Sequence, residues 1–209
     1  MKIVQANDEH VSVFAKEYAD LMHSTGAVTY DYQFGSREMF ELIVNSLWQT
    51  PGTLFGFDVT TLTLDEGELL RIEVGFHAPE LEQRKKALGV LWAPFIEQEK
   101  VSTATLKQIA KRTYQCSYRN AAIPASVYSI RALAVKPSHQ GRGTGAKLVA
   151  NAIENGRRAG LRALHLDVLS DNPAVNFYRT LGMECLVEST APVPQQFGVL
   201  MEMHMAIDF

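Results

Sequence analysis

The residues best placed to do chemistry are Gln140-Gly141-Arg142-Gly143-Thr144-Gly145, a turn in which every second position is glycine. Glycine has no side chain to keep a ligand off the backbone N–H groups. A helix that starts there adds unpaired N–H donors and a partial positive charge. Such a turn can hold phosphate, and Arg142 adds a cation to it. The same glycines would equally suit a tight turn that needs only positive φ. The spacing is not the dinucleotide fingerprint G-x-G-x-x-G, because position 146 is alanine, and no Gly-Lys-Ser/Thr follows as in a P-loop.

The elements around the turn are legible from their patterns. Val127 to Val135 is β-branched and apolar enough for a buried strand, which Lys136-Pro137 ends because proline has no N–H to give a ladder. Leu148, Val149, Ala152 and Ile153 recur at helical spacing, with Arg157 and Arg158 in the last turn and Gly160 at the cap position. Leu161 to Leu169 alternates as a second strand. Asp171-Asn172-Pro173-Ala174-Val175-Asn176-Phe177-Tyr178 then opens a short helix that Gly182 ends.

The order strand, Q-x-x-G-x-G, helix, strand, N-P-A-x-x-F-Y-x-x-x-G-M resembles the core of the GNAT family, the acetyl-CoA-dependent N-acetyltransferases. The resemblance is specific over 127–183 and loose over the rest of the chain. It implies a mixed α/β fold with a central, mostly antiparallel sheet of about seven strands, flanking helices and a helical insertion at about 80–125. It implies that acetyl-CoA is the acyl donor, that no metal is needed, and that a small-molecule or peptide amine is the acceptor. Main-chain groups of Leu133, Ala134 and Val135 would pair with the pantetheine arm. Gln140, Gly141, Arg142, Gly143, Thr144 and Gly145 would hold the pyrophosphate. Tyr178 falls at the family's tyrosine position, where a phenol of pKa about 10 would protonate the leaving thiolate; the alternative for its ring is packing onto the sheet beside Phe177. Asn172 lies six residues before Tyr178 whereas many members place a residue seven before, so either Asp171 or Asn172 would approach the cofactor. Where some members have a glutamate base this chain has Ser129, which leaves Glu73, Asp31 and His165 as unranked substitutes. On its alternating strand Glu73 is expected to face solvent, and His165 to be structural. Rival readings are the same fold with another acyl-CoA or a hydroxyl acceptor, and a non-catalytic CoA-binding or regulatory protein.

Bulk properties set wider bounds. The 209 residues suffice for one domain spanning 1–209 with a real core. Hydrophobic residues at 46% and charged ones at 21% are ordinary for a globular protein, and a net charge of −3 gives no general attraction to nucleic acid or to an anionic membrane. Two cysteines, Cys116 and Cys185, make no disulfide framework. No apolar run reaches membrane-spanning length, so a cytoplasmic protein is expected, with a homodimer possible.

Towards the N-terminus, Val11, Phe14, Ala15, Tyr18, Leu21 and Met22 form one amphipathic stripe after a cap at Asn7 or Asp8. Tyr30 to Gly35 reads as an aromatic loop and Ser36 as the cap of a second helix. Thr53 to Leu64 and Leu70 to Phe76 read as a hairpin about Asp65-Glu66-Gly67, one face buried. Residues 80–125 read as helices interrupted at Pro94 and packed over one end of the sheet. Met183 to Glu188 and Phe197 to Ala206 read as final strands joined by a turn at 191–194.

Overall fold

The computed structural model describes residues 1–87, 89–141 and 144–209, with every side chain among them except those of Val90 and Thr144. The seven strands are β1 (Lys2–Gln5), β2 (Thr60–Asp65), β3 (Glu68–His77), β4 (Val127–Val135), β5 (Ala163–Leu169), β6 (Glu184–Ser189) and β7 (Glu202–Asp208). They form one sheet in the order β1-β2-β3-β4-β5-β7-β6. The β4–β5 pair is parallel; the others are antiparallel.

Helices cover both faces. On one face lie α1 (Asp8–Val13), α2 (Ala15–Ser24), α3 (Ala27–Phe34) and α4 (Arg37–Gln49). There Tyr18, Met22, Phe40 and Trp48 pack against Leu62, Ile72, Val74, Ala132 and Ala134. On the other face lie α8 (Thr144–Arg158) and α9 (Ala174–Thr180). Val149 and Ala152 of α8 meet Ile130, Leu164, Leu166 and Met205, while the charged Glu154, Arg157 and Arg158 of the same helix face out.

Several sequence expectations are corrected by tertiary contacts. The first stripe is two helices, because Phe14 leaves helical geometry at φ −112° and ψ 18°. Its apolar face survives the break, since Val11, Phe14, Tyr18, Leu21 and Met22 are all buried. Asn7 does cap α1, its side chain accepting from the His10 N–H. The aromatic loop is helix α3, whose Tyr30 and Phe34, one turn apart, both pack on Phe40. Only Thr60–Asp65 of the expected long strand pairs; Phe57–Val59 is a 3-10 turn, and the Thr53 hydroxyl donates to the Leu47 and Thr50 carbonyls instead. Strand β3 is buried on both faces, because it sits inside the sheet with helices above and below.

Residues 80–125 carry α5 (Leu81–Ala87), α6 (Gly89–Glu97) and α7 (Thr103–Cys116). Pro94 lies inside α6 rather than ending it; the missing N–H costs one bond, and the neighbouring Phe95 anchors the helix in the core. Phe95, Val101 and Ile109 pack against Ile43 and Leu47 of α4, while Ile123 packs against Val127 and Ala163 where β4 and β5 begin, so this segment rests on helices as well as on one end of the sheet. After β6 comes a short α10 (Pro192–Gln195) instead of a plain turn, and β7 begins only at Glu202. No helix among the described residues is long and apolar enough to cross a membrane.

Candidate functional site

The site is made by strands that part company. β4 pairs with β3 as far as Val135↔Arg71, but with β5 only from Val127↔Ala163 to Ile130↔Leu166. Beyond that point residues 131–135 and 167–169 diverge. The cause lies in β4 itself: on the β3 side Gly75 pairs with Ile130 and Val74 with Ala132, so Arg131 is a bulge residue, and a bulge bends its strand. Between the diverging strands opens a cavity of about 580 Å³.

Leu133, Ala134 and Val135 all line this cavity, with a main-chain edge that has no strand partner on the β5 side. The turn follows directly. Gly141 has φ +73°, a left-handed backbone that only glycine adopts cheaply. The Gln140 side chain donates from Nε2 to the Val135 carbonyl at 3.0 Å, which ties the turn back to β4 and occupies that carbonyl. Gly145 serves another purpose: a Cβ there would stand 3.2 Å from Phe177 Cζ, so its absence lets the first turn of α8 close on α9. Gln140, Gly141 and Gly145 line the cavity. The α8 N-terminus, with its unpaired N–H groups, therefore lies at the cavity wall. Arg142 and Gly143 lie outside the described residues, as does the side chain of Thr144.

On the β5 side Asn172 lines the cavity, its Oδ1 accepting from the Ala174 N–H at 2.9 Å and so fixing the start of α9. Asp171 is exposed and takes no part in the wall. Tyr178 reaches the cavity from α9 and is only 5% exposed. Burial pushes its phenol up to about 12. Phe177 packs beside it with ring centroids 5.2 Å apart.

The three base candidates separate in space. Glu73, expected at the surface, is 0% exposed, and it is absent from the cavity wall. Its Oε1 accepts from the Tyr128 hydroxyl at 3.1 Å, Oε2 has no partner among the described residues, and burial raises its pKa to about 7. Asp31 is exposed on α3 and paired with His23 at 2.8 Å. Ser129 is buried inside β4.

His165 belongs to a polar row. Its Nδ1 lies 2.9 Å from His204 Nε2, and His204 Nδ1 lies 2.6 Å from Asp167 Oδ1. Asp167 lines the cavity, and its Oδ2 is 3.4 Å from Arg131 Nη1, also at the wall. Burial and the charge of His204 lower the pKa of His165. The sequence reading passed over Arg131, Asp167 and His204. A signal was available: His165 and Asp167 alternate with Leu164, Leu166 and Val168, and His204 with Met203 and Met205, so each strand turns polar groups to one face. Only the register Asp167↔His204 joins them.

Known proteins agree with this architecture. The Acetyltransferase (GNAT) family profile matches residues 62–183, more than half of the chain. No curated protein matches it by sequence. Among solved structures, an N-acetyltransferase from Staphylococcus aureus Mu50 superposes with TM-score 0.72 at 14% identity, covering 99% of this chain and 100% of that one. A GCN5-related N-acetyltransferase from Kribbella flavida gives 0.57 at 19% identity, with 100% and 97% covered. The polyamine N-acetyltransferase of Drosophila melanogaster gives 0.60 at 15% identity, with 100% and 99% covered. At these identities the likeness concerns the fold.

Proposed function

The chain belongs to the Acetyltransferase (GNAT) family, and from that premise we propose that it transfers an acetyl group from acetyl-CoA to a primary amine. The reading takes residues 1–209 as one acetyltransferase domain. One observation carries it: a single cavity joins an unpaired strand edge, a helix N-terminus behind a glycine turn, and a buried phenol. Those groups suit the substrate. The edge of Leu133 to Val135 offers main-chain donors and acceptors to the amides of a pantetheine arm. The α8 N-terminus offers N–H groups to a pyrophosphate, each such helix-end contact worth roughly 0.3–1 kcal/mol.

Acetyl transfer requires the nitrogen to lose two protons overall and the sulfur to gain one. A primary ammonium of pKa about 10.4 costs about 4–5 kcal/mol to deprotonate at pH 7, which the site must offset. Tyr178 is the group beside the cavity suited to the sulfur. At a pKa of about 12 it is fully protonated at rest. Handing that proton outright to a thiolate of pKa about 8.5 is uphill by about 5 kcal/mol. The hydroxyl therefore works best as a hydrogen-bond donor to the developing thiolate, which the excess proton from nitrogen then neutralises.

The test is thiol release from acetyl-CoA across a panel of primary amines, beside direct calorimetric binding of acetyl-CoA. Tyr178→Phe keeps the ring packing and removes only the donor. It is expected to lower turnover by about 10²-fold or more with acetyl-CoA affinity nearly constant. Near-normal turnover in a folded Tyr178→Phe protein would give the tyrosine a structural role. Tight acetyl-CoA binding without thiol release from any amine would point to a CoA-binding protein that is not an enzyme.

A further inference from the structure

We infer that Asp167 receives the acceptor's ammonium group and takes its proton, and that His204, backed by His165, holds that carboxylate in place. The inference rests on the acetyltransferase reading and adds to it the residue that activates the amine.

Access is the first argument. Of the carboxylates considered, Asp167 alone combines a place in the cavity wall with burial: its side chain is 15% exposed. Glu73 projects from β3 outside that wall, and Asp31 stands in solvent on α3. Asp167 also lies on the side of the sheet opposite α8. Its strand neighbours Leu166 and Val168 pack in the α8 and α9 core, so Asp167 faces the other way, towards the cavity wall formed by Ser24 and Thr25. The cavity thus brings together a helix N-terminus, suited to an anion, and a carboxylate, suited to a cation.

Proton bookkeeping gives the second argument. An ionised carboxylate only accepts, so the 2.6 Å contact requires His204 Nδ1 to carry the hydrogen. With its Nδ1–H given to Asp167, His204 meets His165 Nδ1 through Nε2 at 2.9 Å, and one hydrogen between the two rings satisfies that contact. One tautomer of each ring satisfies the whole row. Asp167 Oδ1 is committed to it, while Oδ2 is left with Arg131 at 3.4 Å, well beyond the roughly 2.7–2.9 Å of a charge-assisted bond. Oδ2 can therefore take a second cation.

The other charges around the row are accounted for. Glu202 on β7 pairs with the buried Arg119 at 3.1 Å, Asp208 acts on His165 from the end of β7, and Tyr30 of α3 feels Arg131, Glu202 and Arg119. In the step itself, the ammonium N–H bond breaks and its proton goes to Asp167 Oδ2, an uphill transfer drawn forward by the acylation that follows, since the amide nitrogen is no longer basic. The freed lone pair forms the C–N bond to the thioester carbonyl, the C–S bond breaks, and the nitrogen's second excess proton ends on sulfur. Asp167 returns its proton to solvent after the amide leaves.

The experiment measures kcat/KM for a primary alkylamine from pH 7 to pH 10, with acetyl-CoA affinity determined separately by calorimetry. Asp167→Asn is expected to lose about 10²–10³-fold at pH 7 and to recover progressively as the pH nears the amine's own pKa of about 10.4, because a free amine needs no base. His204→Asn keeps an N–H where Nδ1 stood and should retain at least a tenth of wild-type kcat/KM. His204→Leu lacks that donor and should fall close to Asp167→Asn. An Asp167→Asn defect of equal size at pH 7 and pH 10, or equal behaviour of the two His204 variants, would overturn the assignment. Loss of acetyl-CoA binding in Asp167→Asn would overturn it too, by showing a structural role. Failure of the wild-type protein itself to bind acetyl-CoA would instead remove the acetyltransferase reading, and this inference with it.

Discussion

Two carboxylates flank β4, Glu73 on β3 and Asp167 on β5, and their surroundings differ in every way that matters to chemistry. Glu73 is sealed between sheet and helix, with one tyrosine hydroxyl on Oε1 and no hydrogen-bond partner on Oε2 among the described residues. Asp167 opens onto the cavity and is braced by an imidazole. By the usual rule that a carboxylic acid poised near neutral pH is a functional candidate, Glu73 with its pKa of about 7 is the better base. Geometry reverses that ranking, since a base must first reach the proton it takes. A perturbed acid away from the cavity is a statement about stability.

The largest effect that could break this contrast is on activity. Asp167→Asn should cost two to three orders of magnitude in kcat/KM at pH 7, whereas Glu73→Gln should stay within about threefold. A comparable loss in Glu73→Gln, with acetyl-CoA affinity intact, would mean that a proton reaches Glu73 by a route the cavity does not include.

Stability should show the opposite ranking. The folded state holds the Glu73 proton up to a pH of about 7, against 4.5 for an ordinary glutamate, so the neutral acid is favoured by folding. Its contribution is fully present below pH 4.5 and is lost as the pH rises through about 7. The difference amounts to about 3 kcal/mol. Urea unfolding of the wild type should therefore weaken by up to that amount between pH 4.5 and pH 8, relative to Glu73→Gln. Parallel curves for the two proteins would show that the carboxyl is solvated in solution.

The smallest expected effect sharpens the same point. Tyr128→Phe removes the hydroxyl that donates to Glu73 Oε1 and should destabilise by about 1 kcal/mol at low pH, where the acid is neutral. The loss should grow above pH 7, because the ionised carboxylate depends more on that donor. A loss that does not change with pH would assign the effect to ring packing in the core that Tyr128 shares with Ile130 and Leu164.

Much of the cavity wall beside α8 and α9 was legible in the sequence because its determinants are local. Gly141 needs its φ within one turn, the apolar stripe of α8 begins one turn inside the helix, and Asn172 accepts from the Ala174 N–H just before the helix that carries Tyr178. What misled was burial. Alternation along β3 suggested a solvent-facing Glu73, and nothing local reports that α8 lies over that face. Tyr30 to Gly35 read as a loop because the contact that holds α3 in place, on Phe40, comes from the next helix.

Sequence alone thus determined the order of strands and helices from 127 to 183, the turn between β4 and α8, and the family, since each rests on backbone conformation and spacing over a few residues. Tertiary structure decided the rest. The bulge at Arg131 that opens the cavity is visible only once β3 and β4 are in register. Asp167 and His204 are 37 residues apart and meet only because β7 inserts between β5 and β6. Glu73 is an acid near neutrality only because helices close both faces of its strand. Pairing between distant strands and burial by distant helices are collective outcomes of packing, and no stretch of residues carries them by itself.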